Sequence, residues 1–218
     1  MKLFDIRVFA LLVLLASTSF GQSRSISLEE FDSVELVANT FLSENPYTEN
    51  TEIQLFKKKS TKVESSRKVF CKYLSVEHSH CKWEYTEDGK TTFNEEILHG
   101  NAMSRRTEDG SWITSRAIRI GHLFKRQKNY ATDKYFFVGE AEIDGMKCRV
   151  FSKESVKIDS TKQERVSKAP TENRKIWIGP EGNYMRTEVR WTYSRDGDIH
   201  SNSTFAYPKD LKIEAPIK

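Results

Sequence analysis

The dipeptide Asp-Gly occurs four times, at Asp88-Gly89, Asp109-Gly110, Asp144-Gly145 and Asp196-Gly197, each time between strand-like runs. Gly, and Asp more readily than most residues, tolerates the positive φ that a tight hairpin turn demands, so each dipeptide predicts a locally closed strand pair. Residues 82–85 then face residues 90–93, and residues 103–106 face residues 111–114. Further on, residues 137–143 face 146–151, and residues 185–193 face 199–207. Hairpins made from sequence neighbours predict an antiparallel sheet. A parallel sheet sandwiched by helices would instead read as unbroken Val/Ile/Leu runs, which this chain lacks. Alternation in the last hairpin separates two faces: Arg186, Glu188 and Arg190 on one, and Met185, Thr187, Val189 and Trp191 on the other. Its second strand puts Ile199, Phe205 and Tyr207 on one face, with Ser201 and Ser203 between them, so the sheet has a dry side and a wet side.

An apolar sheet face needs a cover, and the sequence offers one ahead of the hairpins. Ser27 followed by Glu30 is a capping-box pattern, and Leu28, Phe31, Val34, Ala38 and Phe41 recur at helical spacing before Asn45-Pro46 ends the run. A second helix is expected over residues 115–130, where Ala117, Ile120, Leu123 and Phe124 are interleaved with basic residues, although Gly121 weakens it. Residues 152–174 hold almost no large apolar side chain after Ile158 and read as strand ends joined by a solvated loop.

The chain opens with Lys2 and Arg7, then an apolar run over residues 8–16, then Ser17, Thr18 and Ser19. That order is the one a secretory signal requires, and the run is far short of the ~20 residues needed to cross a bilayer. We expect removal of residues 1–21, leaving one domain over residues 22–218 that is periplasmic or secreted and does not span a membrane. Lysine and arginine total 35 against 31 acidic residues, a near balance that argues against a nucleic-acid partner. Thirteen Phe, eight Tyr and four Trp are too many aromatics for a disordered chain.

The motifs of common chemistry are thin. There is no Gly-x-Ser-x-Gly elbow, Gly-rich phosphate loop or His-Glu-x-x-His helix, and no cofactor motif. The sharpest cluster is Cys71 with His78, His80 and Cys81, four possible zinc ligands at a spacing that fits no common zinc module. Its plainer reading is a disulfide beside strand-end histidines. Cys71 and Cys81 can face each other across a hairpin, which suits an oxidising compartment, while a bridge to Cys148 stays open from sequence. Lys57-Lys58-Lys59 with Lys62 is a wet strand end or, functionally, a contact for anionic headgroups.

What remains is aromatic. Trp83, Tyr85, Phe93, Trp112, Phe137, Trp177, Trp191, Phe205 and Tyr207 all fall on predicted strands. They form a core, or some of them line a cavity between the sheet and its helices. Such a cavity gains ~0.8 kcal/mol per buried CH₂ of an acyl chain and needs no catalytic group.

Residues 140–150 (Glu-Ala-Glu-Ile-Asp-Gly-Met-Lys-Cys-Arg-Val), residues 175–182 (Lys-Ile-Trp-Ile-Gly-Pro-Glu-Gly), residues 185–188 (Met-Arg-Thr-Glu) and the closing Ile213-Glu214-Ala215-Pro216 resemble the LolA-like superfamily, the lipoprotein-sorting and carrier proteins of the bacterial envelope. The likeness covers residues 137–216, and residues 28–135 by the order of elements. It implies a mainly β, α+β fold: a strongly curved antiparallel sheet, an unclosed half-barrel, with N-terminal and internal helices on its concave face. It also implies non-enzymatic binding of lipid or lipoprotein acyl chains, with an envelope protein as a further partner. The ligand-binding candidates are then Trp83, Tyr85, Phe93, Trp112, Phe137, Trp177, Trp191 and Phe205. Two other readings stand beside this one: a secreted interaction or sensor module with a filled core, and a metal-dependent hydrolase using His78, His80 and a Cys.

Overall fold

The computed structural model describes residues 23–57, 60–116, 131–157, 171–193 and 197–214. A three-residue strand, β1 (Arg24–Ile26), leads into helix α1 (Leu28–Glu44), and eleven strands follow. They are β2 (Tyr47–Phe56), β3 (Val63–Ser75), β4 (His78–Glu87), β5 (Lys90–His99), β6 (Ala102–Arg106), β7 (Trp112–Arg116), β8 (Ala131–Ile143), β9 (Met146–Lys157), β10 (Thr171–Ile178), β11 (Tyr184–Tyr193) and β12 (Gly197–Ala206). All twelve join one sheet in the order β1-β8-β9-β10-β11-β12-β2-β3-β4-β5-β6-β7. Every pairing is antiparallel, and the sheet is open, with β1 and β7 as its edges.

The expected hairpins form at the expected places. Asp88 and Gly89, and likewise Asp144 and Gly145, all have positive φ, the backbone of a two-residue hairpin turn. Asp109-Gly110 works differently. There Gly110 alone of the two turns left-handed, and Asp109 Oδ1 accepts from Ser111 N at 3.1 Å, an Asx-type closure of a longer loop. The signal segment, Lys58 and Lys59 of the lysine run, residues 117–130 and 158–170, and Asp196 of the fourth turn lie outside the described residues. Residues 115 and 116, expected to open a second helix, belong instead to β7, where pairing with β6 overrides local propensity.

Helix α1 starts and stops as its caps dictate. Ser27 Oγ accepts from Glu30 N at 3.1 Å, and Asn45 N donates to Phe41 O at 3.0 Å just before Pro46. Phe31 and Ala38 are buried against Ile26, Phe151, Ile176, Ile178 and Tyr184, with Val34 and Leu42 flanking. Glu35 accepts from Arg174 on β10 at 2.7 Å, which fixes the helix to the sheet by charge as well as by packing. Burial disfavours the Arg174 charge, but Glu172 and Glu35 outweigh it and hold its pKa above the usual value.

A second cluster, Cys148, Val150, Trp177 and Met185, packs on the opposite face of β9–β11. Met185 belongs to it because the β10–β11 register shifts between Trp177 and Ile178. The bulge carries Met185 to the face opposite Val189, against the alternation read from the sequence. Burial pushes the Cys148 thiol pKa up, which suits a packing residue better than a nucleophile.

Four tyrosines gather where the C-terminal end of α1 meets the sheet. Tyr47 stacks on Tyr73 with ring centroids 4.5 Å apart, Tyr207 meets Phe41 edge-on at 5.1 Å, and Tyr207 Oη donates to Tyr184 O at 2.7 Å. Burial pushes the Tyr73 phenol up to about 12 and those of Tyr47, Tyr184 and Tyr207 higher still. An unfolded tyrosine ionises near pH 10, so the raised values contribute stability that is full below about pH 10 and is lost as pH rises through the folded values. In an alkaline titration, tyrosinate absorbance from these residues should appear only with loss of the far-ultraviolet dichroism. Complete ionisation of all the tyrosines in a still-folded protein would refute this.

A candidate apolar surface beside the first helix

Antiparallel partners share a face, so the registers define lateral rows on the α1 side of the sheet. One row runs Glu172, Trp191, Ile199, Leu55 and Ser65 across β10, β11, β12, β2 and β3. The next runs Arg174, Val189, Ser201, Ile53, Arg67 and Tyr85. A third runs Ile176, Thr187, Ser203, Thr51, Val69 and Trp83. Ile176 lies beneath α1, whereas Ile53, Leu55, Val69, Trp83, Tyr85, Val189, Trp191 and Ile199 are only half-buried. They form an apolar strip on the same sheet face as the helix-covered core, separated from Ile176 by Thr187, Ser203 and Thr51.

Polar groups border this strip and also punctuate it, with Ser201 and Arg67 in its middle row and Thr187, Ser203 and Thr51 in the third. Trp191 Nε1 donates to Glu172 Oε2 at 3.3 Å, and Glu172 lies 3.0 Å from Arg174 Nε and 3.9 Å from Lys153 Nζ. Lys153 in turn lies 3.4 Å from Asp133. Arg67 rests over the Tyr85 ring at 5.7 Å, and Thr51 Oγ1 and Ser203 Oγ share a hydrogen bond of 2.6 Å. No step of bond chemistry is assembled here. The surface can bury hydrocarbon and orient a polar end at its border.

The aromatic residues singled out from the sequence divide among several environments. Trp83, Tyr85 and Trp191 lie on the strip. Phe137 and Phe205 share that face but pack against the helix-covered core, Phe137 against Phe151 at 5.4 Å and Phe205 against Tyr184 at 5.7 Å. Trp177 is on the other face, buried in the second cluster with Lys175 and Arg186 over its ring. Trp112 is paired with Arg106 on the edge strand β7, and Phe93 is 75 % exposed on the face away from α1. Sequence reasoning placed Val189 and Ile199 on the dry side of their hairpin but missed Ile53, Leu55 and Val69, because the face these share with that hairpin follows only from the pairing of β2 with β12, distant in sequence.

The seam between α1 and the sheet is filled by protein: Phe31 is 1 % exposed, and Ile176 and Ala38 are fully buried. Two clefts among the described residues open on the side opposite the helix. One, of about 960 Å³, is lined by Asn50, Lys68, Phe70, Lys82, Glu84 and Phe93, with Val69 and Trp83 of the strip also reaching it. The other, of about 780 Å³, is bordered by Gln54, Lys175, Glu188, Arg190 and His200. Acidic and basic side chains are mixed in both.

Cys71 and Cys81 face each other across β3 and β4 and are bridged, with Cα atoms 4.1 Å apart. The bridge takes both sulfurs out of the zinc set raised by the sequence and leaves Cys148 as the free thiol. Among the described residues no three His, Cys, Asp or Glu side chains converge to hold a metal ion. Among them too, no helix is long and apolar enough to cross a membrane.

No protein-family model matches the chain, and no curated protein matches it. The structure is similar to that of LprF from Mycobacterium bovis, at 12 % identity and a TM-score of 0.49 over 89 % of this chain and 100 % of that one. It is also similar to the LolA superfamily protein NE2245 from Nitrosomonas europaea, at 10 % identity and a TM-score of 0.36 over 83 % and 94 % of the two chains. A third structure, a DUF1329 family protein from Desulfovibrio piger, gives 10 % identity and a TM-score of 0.31 over 84 % and 93 %.

Proposed function

We propose that this protein is an exported, non-enzymatic carrier or sorting protein of the bacterial envelope that binds acyl chains of lipids or lipoproteins. The observation that carries the reading is the half-buried apolar strip around Trp83, Tyr85, Trp191, Leu55 and Ile199, open on the same sheet face that α1 covers elsewhere. The leader-like residues 1–21 support export.

Chain length supports a sheet bent into an unclosed half-barrel. Arg116 ends β7 and Ala131 begins β8, ten strand spacings away across the sheet, with fourteen residues between them. A flat sheet at ~4.8 Å per strand spaces the two strands ~48 Å apart. Because strands ten places apart in an antiparallel sheet run parallel, the joined ends also lie at opposite ends of the sheet, which takes a flat path past the ~50 Å limit of so short a connection fully extended. Bending brings the ends together and curves the apolar strip around a guest.

Native mass spectrometry of protein purified from its own envelope should find an acyl-bearing molecule. A fluorescent fatty-acyl probe should bind, and shortening its chain by two CH₂ groups should weaken binding by about 1.6 kcal/mol, roughly fifteenfold. Trp83→Asp, which puts a charge on the strip, should abolish probe binding. A consistently empty protein that ignores the probe would sink the reading.

The filled seam under α1 favours a second reading, an exported interaction or sensor module built on the same sheet. Recovery of a stoichiometric protein partner without lipid would select it.

A further inference from the structure

We propose that His78 and His99 form a two-histidine site for a late first-row divalent transition-metal ion, on the sheet face opposite α1. The two residues are direct partners at the end of the β4–β5 hairpin. One step outside them Gly100 N donates to Glu77 O at 2.9 Å. That alternation makes 78–99 a non-hydrogen-bonded pair, where cross-strand side chains approach most closely.

The imidazole rings have centroids 4.5 Å apart and planes inclined at 73°. An ion ~2.1 Å from one nitrogen of each ring holds the ring centres roughly 4.6–5.3 Å apart for bond angles between about 90° and 109°. The observed 4.5 Å falls about 0.1 Å short of that span, so a small side-chain rotation brings the rings to it without any change of strand register. His78 Nδ1 lies 3.2 Å from Ser75 Oγ. In the tautomer that donates Nδ1–H to Ser75, Nε2 keeps the lone pair a metal needs, and the hydroxyl orients the ring as outer-shell partners do.

His80 shares the face but is engaged elsewhere. Its Nε2 lies 2.7 Å from Glu95 Oε1, a carboxylate that also meets Lys82 at 3.1 Å and Arg106 at 3.2 Å. The site therefore has two protein ligands and completes its coordination with water. Such a set binds exchangeably, and imidazole ligands favour Cu²⁺ over Zn²⁺.

Isothermal titration of the purified, untagged protein with CuCl₂ and separately with ZnCl₂ tests this. One equivalent of Cu²⁺ should bind, more tightly than Zn²⁺, and its electron paramagnetic resonance spectrum should show two nitrogen ligands. His78→Ala and His99→Ala should each weaken binding at least about tenfold, and Ser75→Ala by about tenfold, as loss of a group that orients a ligand does. His80→Asn should leave binding unchanged, and the metal-free melting temperature of each variant shows that it folds. Absence of saturable Cu²⁺ uptake up to about 1 mM, a single-nitrogen spectrum, unchanged affinity in His99→Ala or lost affinity in His80→Asn would each overturn the assignment; all would leave the acyl-chain reading standing.

Discussion

Phe31→Ala is expected to cost about 3–5 kcal/mol of folding stability, the range for truncating a fully buried aromatic residue. Phe31 is 1 % exposed and sits with its ring centroid 5.1 Å from that of Tyr135, at the centre of the contacts that join α1 to β1, β8, β9 and β10. The sheet side of that contact is a rigid antiparallel surface, so the cavity left by the ring has little means of closing. At roughly 2–4 °C per kcal/mol for a chain of this size, the melting temperature should fall by about 6–20 °C. Leu36→Ala is the matched control: it removes a large apolar side chain from the same helix, but at a position 67 % exposed, and should stay within about 0.5 kcal/mol of the parent. Urea unfolding followed by far-ultraviolet dichroism compares the two. Similar costs for both would mean that α1 does not depend on its inner face, and with it would go the view that the helix is docked over a filled seam.

Local rules made much of this architecture legible in the sequence. The Asp88-Gly89 turn sets its hairpin to the residue, since a two-residue turn leaves one register open, and Asp144-Gly145 does so as far as Gly139, where a bulge shifts the β8–β9 register. The pairing of His78 with His99 was implicit in the same rule, because each stands ten residues from its side of Asp88-Gly89. Ser27, Glu30 and Pro46 bounded α1 for reasons internal to the helix. Long-range pairing was not legible. That β12 lies beside β2, and β8 beside β1, depends on how hairpins dock, which no turn residue encodes. The apolar strip crosses the first of these junctions, so Ile53, Leu55 and Val69 stayed hidden while its tryptophans stood out by type alone and Val189 and Ile199 by alternation within their hairpin. The bulge that turns Met185 to the opposite face is a further non-local effect, since it arises from the β10–β11 pairing.

Replacing Cys71 and Cys81 together by Ser should lower stability by about 3 kcal/mol, with a melting temperature lower by roughly 6–12 °C. The bridge closes a loop of sequence separation 10 and so restricts the unfolded chain, while in the folded sheet it joins residues already opposite each other. Its native contribution is therefore small beside its effect on the unfolded ensemble, and the pairing of β3 with β4 should survive its loss. Hydrogen exchange at the β3–β4 amides should quicken only in proportion to the lost global stability. Thiol counting fixes the connectivity independently: the folded oxidised protein should react slowly because Cys148 is buried, the denatured oxidised protein should show one thiol, and the reduced protein three. Three thiols before reduction would remove the bridge and reopen the sulfur ligands to a metal. One thiol together with selective fraying of β3–β4 in the Ser variant would instead place the bridge's contribution in the folded sheet, with the staple holding the half that carries Val69, Trp83 and Tyr85 in shape.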